Sequence, residues 1–156
     1  MTVYVGVAGA GTATPEEEAT AEAVGRLLAE RGAVVVCGGL GGVMAAACRG
    51  AREAGGHTVG ILPGEDRIEA NPWVEVVIPT GMGEARNALV VRASDALIAI
   101  GGEFGTLSEI ALALKIGRPV VGIGTWVIER DGMTIDPILR AKDAEDAVEL
   151  ALSRAG

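Results

Sequence analysis

The chain has 156 residues, 49% of them hydrophobic and 22% charged, with a net charge of −8. That is enough for one globular domain with its own core, 1–156, and short for two. No Lys/Arg-rich block offers the basic face a nucleic-acid partner needs, and no run of 18 apolar residues spans a membrane.

The stretch "MTVYVGVAGAGTATP" lacks the positive start of a signal peptide, and Gly6 and Gly9 break its apolar run. It reads as a first buried strand, 3–9, and the expected location is cytoplasmic. Thr14-Pro15-Glu16-Glu17 then opens a helix: Thr14 caps, Pro15 suits the first helical position and Glu17 completes a capping box. Gly32 should stop it after about Arg31. Strands follow at 33–37, 58–62, 74–78, 95–100 and 119–124, and helices at 42–54, 83–93, 105–116 and 143–154, the last capped by Asp143. Most of the strands are continuously apolar, as parallel strands covered on both faces are. "PGEDRIEANP" is a loop, and "ERDGMTID", with Trp126 just before it, reads as an edge hairpin and turn. The pattern predicts an α/β, Rossmann-like, doubly wound and mainly parallel sheet with helices on both faces.

In such sheets ligands sit at the carboxyl ends of strands. Three of those ends concentrate glycine: Gly9-Ala10-Gly11-Thr12, Gly38-Gly39-Leu40-Gly41-Gly42, and Gly101-Gly102-Glu103-Phe104-Gly105-Thr106. Glycine admits close backbone approach, and a helix N-terminus behind it offers free N–H groups to an anion. Thr14 stands where a dinucleotide fingerprint has its third glycine, and no Gly-Lys-Ser/Thr is present, so neither of those nucleotide motifs applies. Cys37, Cys48 and the single His57 do not match a zinc spacing; no metal site is expected, and both cysteines read as small buried apolar residues.

Laid end to end, "VCGGLGGVMAAACRGAREAGGHTVGILPG", "TGMGEARNALVVRASDALIAIGGEFGTLSEIALAL" and "GRPVVGIG" resemble the LOG-like family. That family includes the Lonely Guy cytokinin-activating phosphoribohydrolases, long mislabelled lysine decarboxylases. The resemblance covers about residues 3–125 and leans towards a small branch that includes the molybdenum cofactor carrier proteins. It implies a Rossmann-like fold and a homodimer or higher homo-oligomer. The hydrolases carry an Arg-Lys pair followed by Pro-Gly-Gly-x-Gly-Thr-x-x-Glu. Arg86, Gly102, Gly105, Thr106 and Glu109 match this pattern, whereas Asn87 replaces the lysine, Gly101 the proline and Glu103 a glycine of the cradle.

The glycine-rich strand ends place Gly9, Gly11, Thr12, Gly38, Gly39, Gly41, Gly42, Gly101, Gly102, Gly105 and Thr106 at a ligand site, and Met82 lies in a loop that should face it. The resemblance adds Arg86 and Asn87, with Glu109 and Arg86 as the catalytic candidates. Glu109 could stabilise an oxocarbenium-like state at C1′ and orient water, while Arg86 holds a phosphate or ribose. The pattern Thr106-Leu107-Ser108-Glu109 is equally a capping box that needs no catalysis. Glu103, on the rim of an anion cradle, would repel a phosphate monoester by about 1 kcal/mol or more unless it points to solvent. Met44 and Trp73 read as packing residues and Asp95 as structural. Two functions stay open. One is a carrier or sensor that binds a phosphorylated small molecule, a nucleotide or a molybdopterin-type ligand, with no cofactor required. The other is a nucleoside 5′-monophosphate phosphoribohydrolase.

Overall fold

The computed structural model describes residues 1–133 and 136–156. The chain folds as β1 (Tyr4–Gly9), α1 (Pro15–Glu30), β2 (Val34–Cys37), α2 (Val43–Glu53), β3 (Thr58–Leu62), β4 (Val76–Pro79), α3 (Asn87–Arg92), β5 (Ala96–Ile100), α4 (Phe104–Lys115), β6 (Val120–Ile123), β7 (Leu139–Arg140) and α5 (Ala144–Arg154). Short 3-10 turns occupy Arg67–Glu69 and Gly83–Arg86.

The strands form one sheet in the order β4-β3-β2-β1-β5-β6-β7, and every pairing is parallel. This is the Rossmann-like α/β arrangement. Strand order reverses direction between β1 and β5, which pair from Val5↔Ala96 to Gly9↔Ile100. β5 is buried along its whole length because successive side chains enter two different cores. Ala96, Ile98 and Ile100 join Val5, Val7 and Val35 beneath α1, α2 and α5. Leu97 and Ala99 join Ile110 and Ala113 of α4 on the other face. Burying one such aliphatic side chain stabilises the fold by about 1.5–3 kcal/mol.

Thr14 caps α1 as its spacing predicts: its side chain accepts from the Glu17 N–H at 3.1 Å, and Glu17 accepts from the Thr14 N–H at 3.0 Å. Asp143 caps α5 through the Asp146 N–H at 2.8 Å. Asp95 is structural, accepting the Tyr4 N–H at 2.9 Å.

Several boundaries differ from expectation. The fourth strand begins at Val76 rather than residue 74, because the Thr58 side chain takes over the local pairing. Its hydroxyl donates to the Trp73 carbonyl at 2.7 Å and accepts the Glu75 N–H at 2.9 Å. The helix expected over 83–93 divides into the 3-10 turn and α3. A two-residue strand, β7, pairs with β6 where none was expected. Arg130 and Met133 form an antiparallel bridge, consistent with a local turn there, while Thr134 and Ile135 of the expected hairpin lie outside the described residues.

Candidate functional site

At the β1/β5 reversal two neighbouring strands send their chains to opposite sides, which opens a crevice at their carboxyl ends. A cavity of about 270 Å³ lies there, lined by Val7 to Gly11, Gly38, Leu40, Met44, Arg86, Asn87, Glu103, Gly105, Thr106 and Glu109. The residues converge from β1, the β2–α2 turn, the Gly83–Arg86 turn and the first turns of α4. A larger groove of about 460 Å³ runs between α1 and α2, but it is lined by Glu22, Arg26, Glu30 and Glu53 among others. Two of its charges, Arg26 and Glu30, are paired with each other. It has neither a strand end nor a helix N-terminus facing it.

The walls depend on glycine at two places in particular. Gly42 has φ +62°, and a Cβ there would collide with the Ala10 carbonyl oxygen of the neighbouring turn. That close approach lets the Val43 N–H reach the same carbonyl at 3.1 Å. Gly102 has φ +97°, and its Cβ would strike the Thr106 side chain. The α4 N-terminus is braced by Trp126, whose indole Nε1–H donates to the Glu103 carbonyl at 3.0 Å and whose ring lies 5.4 Å from that of Phe104.

Arg86 is only 8% exposed. The 3-10 turn carries it over the end of β3, where Nε–H donates to the Ile61 carbonyl at 2.8 Å. One Nη reaches the Gly38 carbonyl at 3.4 Å and the other donates to the Asn87 side-chain oxygen. Asn87 in turn donates from Nδ2 to Ser108 Oγ at 3.0 Å, and Ser108 donates to the Gly105 carbonyl at 2.6 Å. Asn87, standing where the hydrolase pattern has lysine, therefore links the arginine to the first turns of α4. Sequence reading had no signal for Ser108 as part of this link.

Glu109 is likewise 8% exposed. The capping-box reading is overturned: α4 begins at Phe104 with Glu103 as its cap residue and no side-chain cap bond. That puts Thr106 at the third helical position instead of at the cap, and Glu109 beyond the first turn. The Glu109 carboxyl has no hydrogen-bond partner among the described residues and faces the cavity. Burial pushes its pKa up to about 7, opposed in part by the positive field of Arg86.

Of the expected ligand residues, the structure brings Gly9, Gly11, Gly38, Arg86, Asn87, Gly105, Thr106 and Glu109 to the cavity wall. Gly39, Gly41, Gly42, Gly101 and Gly102 shape the turns behind it, and Thr12 and Met82 are exposed outside the lining. Met44, expected only to pack, does line it, as do Leu40 and Val7. His57 sits just before β3, at the amino ends of the strands and away from the cavity, with Nδ1 2.8 Å from Glu75 Oε1.

A parallel α/β sheet with glycine-rich turns, a buried arginine and a carboxyl unpaired among the described residues at its reversal point defines the class as a Rossmann-like protein with a cavity at its strand ends. The SLOG cluster4 family profile matches residues 2–151, and the chain belongs to that family. It is 43% identical over 151 residues to an uncharacterized protein of Archaeoglobus fulgidus, covering 97% of this chain and 95% of that one. It is 34% identical over 168 residues to the cytokinin riboside 5′-monophosphate phosphoribohydrolase LOG of Oryza sativa subsp. japonica, covering 97% of this chain and 66% of that enzyme. The molybdenum cofactor binding protein of Rippkaea orientalis superposes with a TM-score of 0.88 at 36% identity, over 98% of this chain and 97% of that one. The molybdenum cofactor carrier protein of Chlamydomonas reinhardtii gives 0.84 at 32% identity, over 98% of each chain. No helix among the described residues is long and apolar enough to cross a membrane.

Proposed function

We propose that this protein binds a phosphorylated small molecule with a flat heterocycle in the β1/β5 cavity and serves as its carrier or sensor. The observation that carries this reading is the convergence of the β1 and β2 glycine turns and the start of α4 on one cavity. Free N–H groups at a helix N-terminus such as that of α4 suit a phosphate. Val7, Ala8, Leu40 and Met44 supply an apolar slot for a ring. This combination of anion-facing N–H groups and apolar wall fits the phosphate and the flat ring of a pterin-type ligand as well as those of a nucleotide. The similarity to the molybdenum cofactor proteins supports the former. Glu103 lies at the cavity edge but is exposed, so solvent screens its repulsion of a phosphate.

A second reading rests on Glu109. A buried, unpaired carboxyl held near neutrality can serve as acid or base at working pH. In a phosphoribohydrolase it would stabilise the cation at C1′ and steer water to that carbon while the departing base takes a proton. The sequence similarity to the rice enzyme supports this reading.

The test is equilibrium binding of AMP, GMP and a 6-substituted pterin phosphate, paired with an assay for free base. Binding without base release by wild type is the expected result. Base release that disappears in Glu109→Gln would replace the carrier reading with the hydrolase. Absence of binding to all three probes would remove the phosphorylated-heterocycle class itself. Self-association belongs to the same proposal. Phe104 is 73% exposed beside a groove lined by Ala88, Ser108 and Leu112, an apolar surface suited to a second copy. Light scattering after size exclusion should give at least a dimer, and Phe104→Glu should reduce it.

A further inference from the structure

Two thiols stand directly behind the cavity wall. Cys37 is the last residue of β2 and Cys48 lies in α2; both are free and fully buried, with their Sγ atoms 3.5 Å apart. The chain between them is the wall itself, because Gly38, Leu40 and Met44 line the cavity. The sulfurs are not equivalent. The Cys48 thiol lies within hydrogen-bond distance of Cys37 Sγ, and the Gly39 N–H donates to Cys37 Sγ at 3.3 Å. These contacts, led by the one from Cys48, hold the Cys37 thiol below the usual range against the cost of burial. The same contact and burial push the Cys48 thiol up. When the pair loses a proton, the charge rests on Cys37.

We propose that Cys37 and Cys48 form a reversible oxidation site whose disulfide reshapes the wall of the ligand cavity. The oxidant class is a hydroperoxide; because both thiols are fully buried, it reaches them when the Gly38 to Met44 wall opens locally. The Cys37 thiolate attacks one peroxide oxygen, the O–O bond breaks, and Cys37 becomes a sulfenic acid as hydroxide leaves and is protonated to water. The Cys48 sulfur, losing its proton, then attacks the Cys37 sulfur and displaces the hydroxyl as a second water. In sum, two thiols and hydrogen peroxide yield one disulfide and two waters, and a dithiol reductant returns the pair to its starting state.

The bond requires the sulfurs to close from 3.5 Å to about 2.05 Å. Cys37 is held in the parallel ladder opposite Gly60 of β3. The adjustment therefore falls on the glycine turn and the first turns of α2. The Gly38 carbonyl that accepts from Arg86 is the first atom group to feel it. Oxidation of the pair is thus coupled to the arginine cradle, whatever ligand the cavity takes.

The experiment treats the full-length protein with hydrogen peroxide and measures intact mass, thiols titratable in denaturant, and backbone hydrogen exchange. The expected result is a mass loss of about 2 Da with both thiols consumed, reversed by dithiothreitol and absent in Cys37→Ala and Cys48→Ala. Exchange at Gly38 to Met44 should change at least several-fold on oxidation. Two titratable thiols after treatment, or oxygen adducts on separate cysteines in place of the disulfide, would overturn the proposal. A disulfide that leaves exchange at Gly38 to Met44 unchanged would overturn its coupling to the cavity. The wild-type measurement suffices alone if a variant fails to fold, and none of it depends on ligand identity.

Discussion

Arg86 and Glu109 face the same cavity, yet no ion pair among the described residues joins them. The guanidinium is committed to the Ile61 and Gly38 carbonyls and to Asn87, while the carboxyl has only the arginine's positive field to offset its burial. A structural salt bridge would have satisfied both groups. Their separation leaves a carboxyl that a ligand can address.

This arrangement makes stability depend on pH in a defined direction. The Glu109 pKa is raised on folding, from 4.5 to about 7. Its contribution is therefore fully present below about pH 4.5 and is lost as pH rises through 7. Glu109→Gln keeps the shape without the charge. It should be more stable than wild type at pH 8, by at most about 3 kcal/mol, and should lose this advantage at pH 4.5. Urea titrations of both proteins at the two pH values provide the check.

Arg86→Ala should weaken binding of an anionic probe about 10- to 100-fold, since hydrogen bonds to charged groups contribute about 1.5–3 kcal/mol. It should also lower stability, because the Ile61 and Gly38 carbonyls lose their donor. Arg86→Lys should not rescue binding: a single ammonium cannot hold three acceptors that the planar guanidinium spans at once. Isothermal titration with a nucleotide, alongside thermal melts, separates the two effects.

Gly42→Ala tests the contact between the first two glycine turns. The substitution forces a side chain into φ +62° and against the Ala10 carbonyl, which is backbone and cannot swing aside. A loss of about 1–3 kcal/mol is expected, with a matching fall in midpoint on chemical denaturation.

Thr14→Ala should cost about 0.5–2 kcal/mol, because the Glu17 N–H loses the Thr14 hydroxyl as its acceptor. In a domain of this size that is a drop of about 2–4 °C in Tm per kcal/mol. The same spelling, Thr-x-x-Glu, recurs at Thr106 to Glu109 and does nothing of the kind. What separates the two is where the helix starts, which is a tertiary matter. Pro15 pins the start of α1 locally, whereas α4 starts earlier, on a turn with Gly102 at positive φ and braced from outside by Trp126.

Strands and glycine turns were legible because continuous apolar runs and glycine clusters are local signals. Arg86 and Glu109 were legible through a motif. Met44 was not, since a methionine near a helix start reads as packing until the neighbouring turn is in place. Met82 was placed at the site from its loop alone, and that loop carries it outside the lining. β7 has two residues, too few for a pattern. Cys37 and Cys48 sit eleven residues apart, a spacing with no meaning until β2, its turn and α2 fold them together.

The all-parallel order of the sheet has a kinetic consequence. Parallel neighbours cannot be joined by a tight hairpin, so each pairing closes a long stretch of chain, and the one beneath the cavity joins Val5 to Ala96. Such distant pairings form slowly, after the entropy of a large loop has been overcome. The cavity therefore comes into being only when β1 has found β5, far along the chain. A ligand seated there would act as a clasp on that late step, slowing unfolding and leaving the earliest folding events untouched.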